Sequence, residues 1–244
     1  MKSHCLISPT PRPGRRVLSL RIKTVLLFGL FSGSCLLRFV SGQSVVTGPS
    51  DAITGGQLIG GIFTPATEGT PVGNANMFPS NARPDLAIDG GLGNQYRNFG
   101  EVNTGFVVTP FFNPFAGGTL LTRIRFATGN SAPERDPLTF TLEGTNGDPF
   151  TGIYTLIASG LTGLASDPGR SSLGPAITFP AVGAATSYRV IFPTIRDSAI
   201  ADSMQIGEVA LVGIGVPEPS TFSLAALGAL ALSSANCRRK SKLA

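Results

Sequence analysis

The chain of 244 residues has no Trp, one His, three Cys and three Met, and only 14% of it is charged. The histidine is His4, and the cysteines are Cys5, Cys35 and Cys237. Residues 43–215 therefore contain no Cys and no His, and they also contain no Lys. These absences exclude whole chemistries from the central stretch. A disulfide framework cannot form there. Zinc held by Cys or His is excluded, as are histidine-based nucleophilic triads and Schiff-base lysines. Carboxylate chemistry, or a metal held by oxygen, is what remains. No Gly-X-Y period runs through the 31 Gly and 19 Pro, so the chain is not a collagen. The hydrophobic share of 42% excludes a charge-rich disordered polymer.

The formal net charge of +5 invites a nucleic-acid partner. Its distribution removes that reading. The first 42 residues hold 7 basic groups and no acid, and the last 29 hold 4 basic groups and one acid. The central stretch holds 8 Arg against 13 Asp and Glu. The basic character belongs to the two ends, and the body between them is acidic.

Residues 1–42 read as a signal peptide for export. Arg12, Arg15, Arg16, Arg21 and Lys23 precede the apolar run 24–31, and Arg38 interrupts the residues after it. Val40, Ser41 and Gly42 offer a cleavage point before Gln43. The pair Arg15-Arg16 resembles a twin-arginine signal, but the residues after it depart from that pattern. Cys35 sits where a lipoprotein cysteine could, yet Ser32 occupies the position where Leu is usual.

The C-terminus is the most specific feature. Val216-Pro217-Glu218-Pro219 is followed by an apolar stretch over 222–235 and then by Arg238-Arg239-Lys240. Fourteen helical residues span roughly 21 Å, short of the about 20 residues that a full hydrocarbon core needs. A packed terminal helix or a short membrane tail would explain the apolar stretch alone. The order of breaker, short apolar helix and basic stop closely resembles the PEP-CTERM sorting signal of Gram-negative bacteria. That resemblance implies recognition and processing by an exosortase. The basic cluster fits the cytoplasmic side, with 222–235 in the inner membrane for a time and the body outside. The expected final location is the cell surface or the extracellular matrix.

The body reads as all-β. Short apolar runs recur between clusters of Gly, Pro, Asn and Asp, and none keeps a helical period. Strands are expected near 106–109, 120–127, 138–143, 154–158, 177–179, 188–192 and 205–212. Leu120, Ile124 and Phe126 should share an inner face, with Arg123 and Arg125 outside; Leu138, Phe140 and Leu142 should point inward. Arg189 and Ile191 should lie outside Tyr188, Val190 and Phe192. Residues 43–64 read as an irregular lead-in with one strand near 57–63. The expected architecture is a jelly-roll β-sandwich over 65–215.

Four segments carry a further resemblance: Ala87-Ile-Asp-Gly90 with Gln95-Tyr-Arg-Asn-Phe99, Ala132 to Pro137, Phe140 to Gly144, and Met204 to Val209. In order and spacing they resemble the discoidin-like, galactose-binding-like β-sandwich, which bacterial carbohydrate-binding modules share. Tyr96 stands where that family has a Trp. The resemblance implies one structural calcium ion, with side-chain ligands Asp89, Asn94 and Glu208. Carbonyls near Leu86, Gly91 and Gly207 would complete its shell. Alternation puts Glu208 on the face of Ile206 and Ala210, a core-facing place where a carboxylate needs a cation or several donors. A bulge turning it outward, or an Arg partner, would serve as well.

The resemblance also implies a sugar site on the loops at one end, using Tyr96, Arg97, Asn98, Asn130 and Arg135. Arg97 and Arg135 could fork onto hydroxyls or a uronate. Phe99 is a core candidate. The run Glu134-Arg135-Asp136 could be read as a catalytic carboxylate pair, but Pro133 and Pro137 bracket a turn, and an internal Arg–Asp clamp explains it better. Arg170 and Arg196 read as surface residues. No catalytic residue is assigned. The expected function is an exported, non-catalytic surface or matrix protein that binds extracellular polysaccharide. A purely structural envelope or biofilm protein, or a carboxylate-dependent glycoside hydrolase, are the alternatives.

Overall fold

Period-2 alternation between turn-forming clusters builds a chain of short strands. The computed structural model describes residues 43–71, 73–111 and 118–216. The signal peptide 1–42, the apolar stretch 222–235 and the sorting residues Pro217, Glu218, Pro219, Arg238, Arg239 and Lys240 lie outside the described residues. The strands are β1 (Ser44–Val45), β2 (Ala52–Ile59), β3 (Ile62–Pro65), β4 (Thr67–Glu68), β5 (Met77–Phe78), β6 (Tyr96–Asn98) and β7 (Thr104–Thr109). They continue with β8 (Thr119–Ala127), β9 (Thr139–Thr145), β10 (Thr155–Leu161), β11 (Leu173–Thr178), β12 (Ser187–Phe192), β13 (Met204–Ile206) and β14 (Glu208–Gly215). Among the described residues the only helical pieces are two 3-10 turns, Pro84–Ala87 and Pro133–Arg135.

Two antiparallel sheets form a β-sandwich. One has the order β1-β14-β8-β11, the other β10-β9-β12-β7-β2-β3. Leu121, Ile124 and Phe126 from the first meet Phe106, Phe140, Leu142, Val190 and Phe192 from the second in one buried core. Phe126 stands 5.0 Å from Phe140 and 5.9 Å from Phe192, centroid to centroid, with the rings tilted or edge-on. Those geometries suit aromatic quadrupoles.

Three departures from simple alternation have visible causes. Val212 pairs with Arg123 but Gly213 pairs with Leu121, so Thr122 is an extra residue in β8. That bulge reverses the pleat, and Leu121 rather than Leu120 enters the core. Ile191 is buried although it shares the outer face with Arg189, because Phe63 and Leu58 fold over it and Val107 in a second cluster. Leu138 is only partly buried and precedes β9.

Residues 43–64 are part of the sandwich rather than an irregular lead-in. β2 pairs with β7 from Ala52↔Thr109 to Gln57↔Thr104, and β1 pairs with β14. Glycine hides β2 from the sequence pattern: a Cβ on Gly55 would collide with the Tyr96 ring and Pro84.

The topology defines two ends. β14 starts at Glu208 opposite Ala127 and finishes at Gly215 opposite Thr119. The far end, where β14 starts, gathers the loops 86–95, 128–138, 162–172 and 193–207. The near end, where β14 finishes, gathers the loops 146–154 and 179–186.

Candidate functional site

The first 3-10 turn begins at Pro84, whose fixed φ suits a first helical position. It delivers Asp89 to a tight loop that closes on Gly90, with φ 78°. The Gly91 amide donates to Asp89 Oδ1 at 2.7 Å, and Asn94 Nδ2 donates to Asp89 Oδ2 at 2.8 Å. The Gly90 amide donates to Glu208 Oε2 at 3.1 Å. The structure thus brings the loop residues Asp89 and Asn94 together with Glu208 of β14 at the far end.

Glu208 does not reach this place by facing the core. Gly207 interrupts the alternation, since Ile206 and Val209 are both buried in the core. Glu208 therefore shares the face of Ala210 and Val212, and the loop over it provides its burial to 7% exposure. Burial pushes its carboxyl up to about 7; the Gly90 amide opposes this, and the charge of Asp89 adds to it. Asp89 on the loop and Glu208 at the start of β14, buried with the Gly90 amide as donor, form an all-oxygen donor set. That set fits a hard divalent cation such as calcium. Asn94 would offer its Oδ1 after an amide turn, which exchanges two nearly isosteric atoms. Among the described residues no group of three or more Asp, Glu, His or Cys side chains is placed to hold a metal ion, so backbone carbonyls would have to contribute.

The candidate sugar residues separate into two groups. Arg97 and Arg135 converge on Asp202, which sequence reasoning missed. Arg97 Nη2 lies 2.8 Å from Asp202 Oδ2 and Arg135 Nε lies 2.7 Å from Oδ1. Arg97 Nε also donates to Ser203 Oγ at 2.8 Å, and its guanidinium sits 4.6 Å from the Phe99 ring centroid. Asp202 is 57% exposed between the two cations. Its slight burial raises its carboxyl, but the Ser203 hydroxyl and then Arg97 and Arg135 outweigh that and hold it low. Asn130 is exposed nearby, with its amide proton on Gln95 Oε1 and its side chain donating to the Gly93 carbonyl.

Tyr96 and Asn98 lie in the interior rather than in a sugar site. Both are fully buried. The Tyr96 hydroxyl donates to the Gly105 carbonyl at 3.2 Å and accepts from Asn98 Nδ2 at 2.9 Å. Asn98 Oδ1 takes the Gly100 amide at 2.8 Å. Neither can meet a ligand, because β6 points Tyr96 and Asn98 inward and Arg97 between them outward.

The run Glu134-Arg135-Asp136 contains no internal clamp and no catalytic pair. Asp136 is completely buried and gripped by Arg170, at 3.0 and 2.5 Å, and by Arg196, at 3.3 Å. Arg170 and Arg196 are thus structural ion-pair partners rather than plain surface residues. Hydrogen bonding to Asp136 holds the Arg170 guanidinium even more firmly charged than usual. A groove of about 480 Å³ between β2, β4, β5 and the first 3-10 turn also escaped sequence reasoning; Glu68, Phe78, Arg83 and Asp85 line it.

Val216, directly after β14, donates its amide proton to the Gly118 carbonyl at 3.0 Å. The sandwich therefore ends where the distinctive tail begins. A family model described as the PEP-CTERM protein-sorting motif matches residues 215–240. The chain carries a PEP-CTERM sorting motif. This PEP-CTERM segment begins at Gly215, the last residue of β14.

No curated protein matches the chain. Among solved structures, it is similar to the F5/8 type C domain of a Bacteroides fragilis protein, with a TM-score of 0.47 at 9% identity, covering 71% of this chain and 98% of that one. It is similar to the family 32 carbohydrate-binding module of Clostridium perfringens NanJ in complex with galactose, with a TM-score of 0.45 at 11% identity, covering 70% and 99%. Chitosan-binding module 1 of a Paenibacillus chitosanase/glucanase gives a TM-score of 0.44 at 15% identity, covering 70% and 100%.

Proposed function

We propose that the protein is an exported, exosortase-processed, non-catalytic surface or matrix protein whose far-end loops bind extracellular polysaccharide. The observation that carries the binding reading is the exposed Asp202 carboxylate held between the Arg97 and Arg135 guanidiniums. Planar groups held in one orientation can meet vicinal hydroxyls in pairs, with little side-chain freedom left to lose on binding. Arg97, stacked on Phe99, is the firmest of them. The exported protein should retain polysaccharide on a glycan array, and Asp202→Ala and Arg97→Ala should each abolish retention. Absence of retention on neutral and acidic glycans, with calcium supplied, overturns the reading.

The same reading gives one structural calcium ion to Asp89, Asn94 and Glu208. The ion would neutralise the two carboxylates and hold the 86–95 loop against β14. Calcium should raise the thermal midpoint and a chelator should lower it; no shift in either direction overturns the assignment.

A second reading is a purely structural envelope or biofilm protein. The burial of Tyr96 favours it, since that removes the aromatic face a sugar would stack on. The glycan array separates the two.

A further inference from the structure

The near end of the sandwich combines three properties. The first is its connection to the tail. Gly215 pairs with Thr119 and Val216 bonds to Gly118, so the described chain leaves the sandwich here. Only the five residues 217–221 separate Val216 from Phe222, where the apolar stretch begins. Even fully extended, that connection reaches only about 20 Å.

The second is apolar exposure. Ile153 is 92% exposed, and Phe150, Leu156 and Val182 are exposed around it. Ile153, Ile157 and Val182 line one cavity of about 190 Å³. Large apolar side chains gathered at one loop cluster point to a partner surface.

The third is the scarcity of charge. Across residues 144–156 and 179–187, Asp148 is the only acidic residue and there is no basic residue before Arg189 in β12; Asp51, which the start of β2 brings to the same end, accepts the Gly48 amide at 2.9 Å and the Phe111 amide at 2.8 Å. Asp148 Oδ1 is already occupied by the amides of Phe150 and Thr151, each at 2.8 Å, and by the Thr151 hydroxyl at 3.0 Å. The loops can therefore approach a bilayer without stripping water from an unsatisfied ion.

The geometry points to a lipid-facing end: while the tail is inserted, Phe150, Ile153, Leu156 and Val182 lie against the headgroup boundary of the inner membrane. This inference rests on the reading of residues 222–235 as a temporary membrane anchor. The tether keeps this end within reach of the bilayer, and the apolar side chains convert that proximity into a preferred orientation. The eight residues of β14 then hold the far end some 25 Å further out. The Arg97–Asp202–Arg135 loops and the candidate calcium site are thereby turned away from the lipid. A second copy of the chain or a free glycan would not have to meet this end, whereas a bilayer at the end of a five-residue connection must lie beside it.

The absence of Trp makes the test clean. Four full-chain variants, Ile153→Trp, Leu156→Trp, Leu161→Trp and Ala229→Trp, are each reconstituted into phosphatidylethanolamine–phosphatidylglycerol vesicles with and without brominated acyl chains. Ala229→Trp reports insertion of the tail; Leu161→Trp reports the far end. The expected result is that bromolipid removes most of the emission of the Ala229 and Ile153 variants and leaves the Leu161 variant unchanged. Leu156→Trp repeats the near-end measurement if the Ile153 variant does not fold. Quenching at 229 with none at 153 or 156, or equal quenching at 153 and 161, overturns the lipid-facing end and leaves the anchor standing. No quenching at 229 overturns the anchor, and the inference falls with it.

Discussion

At the residue scale, burial raises the carboxyls of both Asp136 and Glu208, but their neighbours differ: guanidiniums oppose the shift at Asp136, whereas the charge of Asp89 adds to it at Glu208. Asp136 has two guanidiniums, and Asp136→Ala would leave Arg170 and Arg196 with Asp167 as their remaining carboxylate partner. Those guanidiniums are 25% and 22% exposed and keep Asp167, so the loss should be smaller than the about 3–5 kcal/mol of a fully buried pair; the urea midpoint should fall while the spectrum of the folded state is unchanged. Glu208 has an acidic neighbour instead, and burial lifts its carboxyl to about 7. In the unfolded chain a glutamate titrates near 4.3. Between those values the metal-free folded protein binds more protons than the unfolded chain, so this group makes stability fall as pH rises through the window. The urea midpoint in chelator should therefore be lower at pH 8 than at pH 5, and Glu208→Gln should shrink that difference. Calcium should matter most at the higher pH, where Glu208 is ionised. Asp89, Asn94 and Glu208 were legible as a group because loop and strand motifs carry them. Asp202 and the partners of Asp136 were not: Arg97 and Asp202 lie 105 positions apart, and Arg170 and Asp136 lie 34 apart. No local pattern records such pairings.

At the element scale, Gly207 decides how the last strands are built. A Cβ there would run into the Thr128 carbonyl, so β13 and β14 can bend past the end of β8 only with glycine. Forcing a side chain into such a contact costs about 1–3 kcal/mol. Gly207→Ala should lower the denaturation midpoint and, by displacing Glu208, diminish any thermal shift with calcium. Strand positions were readable wherever apolar and polar residues alternate cleanly, as in β9 and β12. Reading failed where the pleat is interrupted or glycine replaces the side chains that signal a strand. Leu120 and Leu121 exchange places through one extra residue in β8. β2 carries Gly55 and Gly56 at its buried centre. Ile191 looked like an outer residue because β3, which covers it through Phe63, comes from the stretch that read as irregular.

At the scale of the whole molecule, the addresses and the body are separate devices. Pro217→Ala combined with Pro219→Ala should leave the sandwich folded and block exosortase processing. Cell fractionation should then find the protein in the inner membrane, and its intact mass should still include the tail; normal processing would show that the prolines are dispensable. The position of β14 adds a mechanical consequence. β14 lies between β1 and β8, and its last residue leads directly to the tail. A load pulled between the tail at one end and a polymer gripped at the other runs along this strand. Its ladder with β8 lies across that direction, so the hydrogen bonds share the force in shear rather than opening one after another. The fold is strung to be pulled lengthwise.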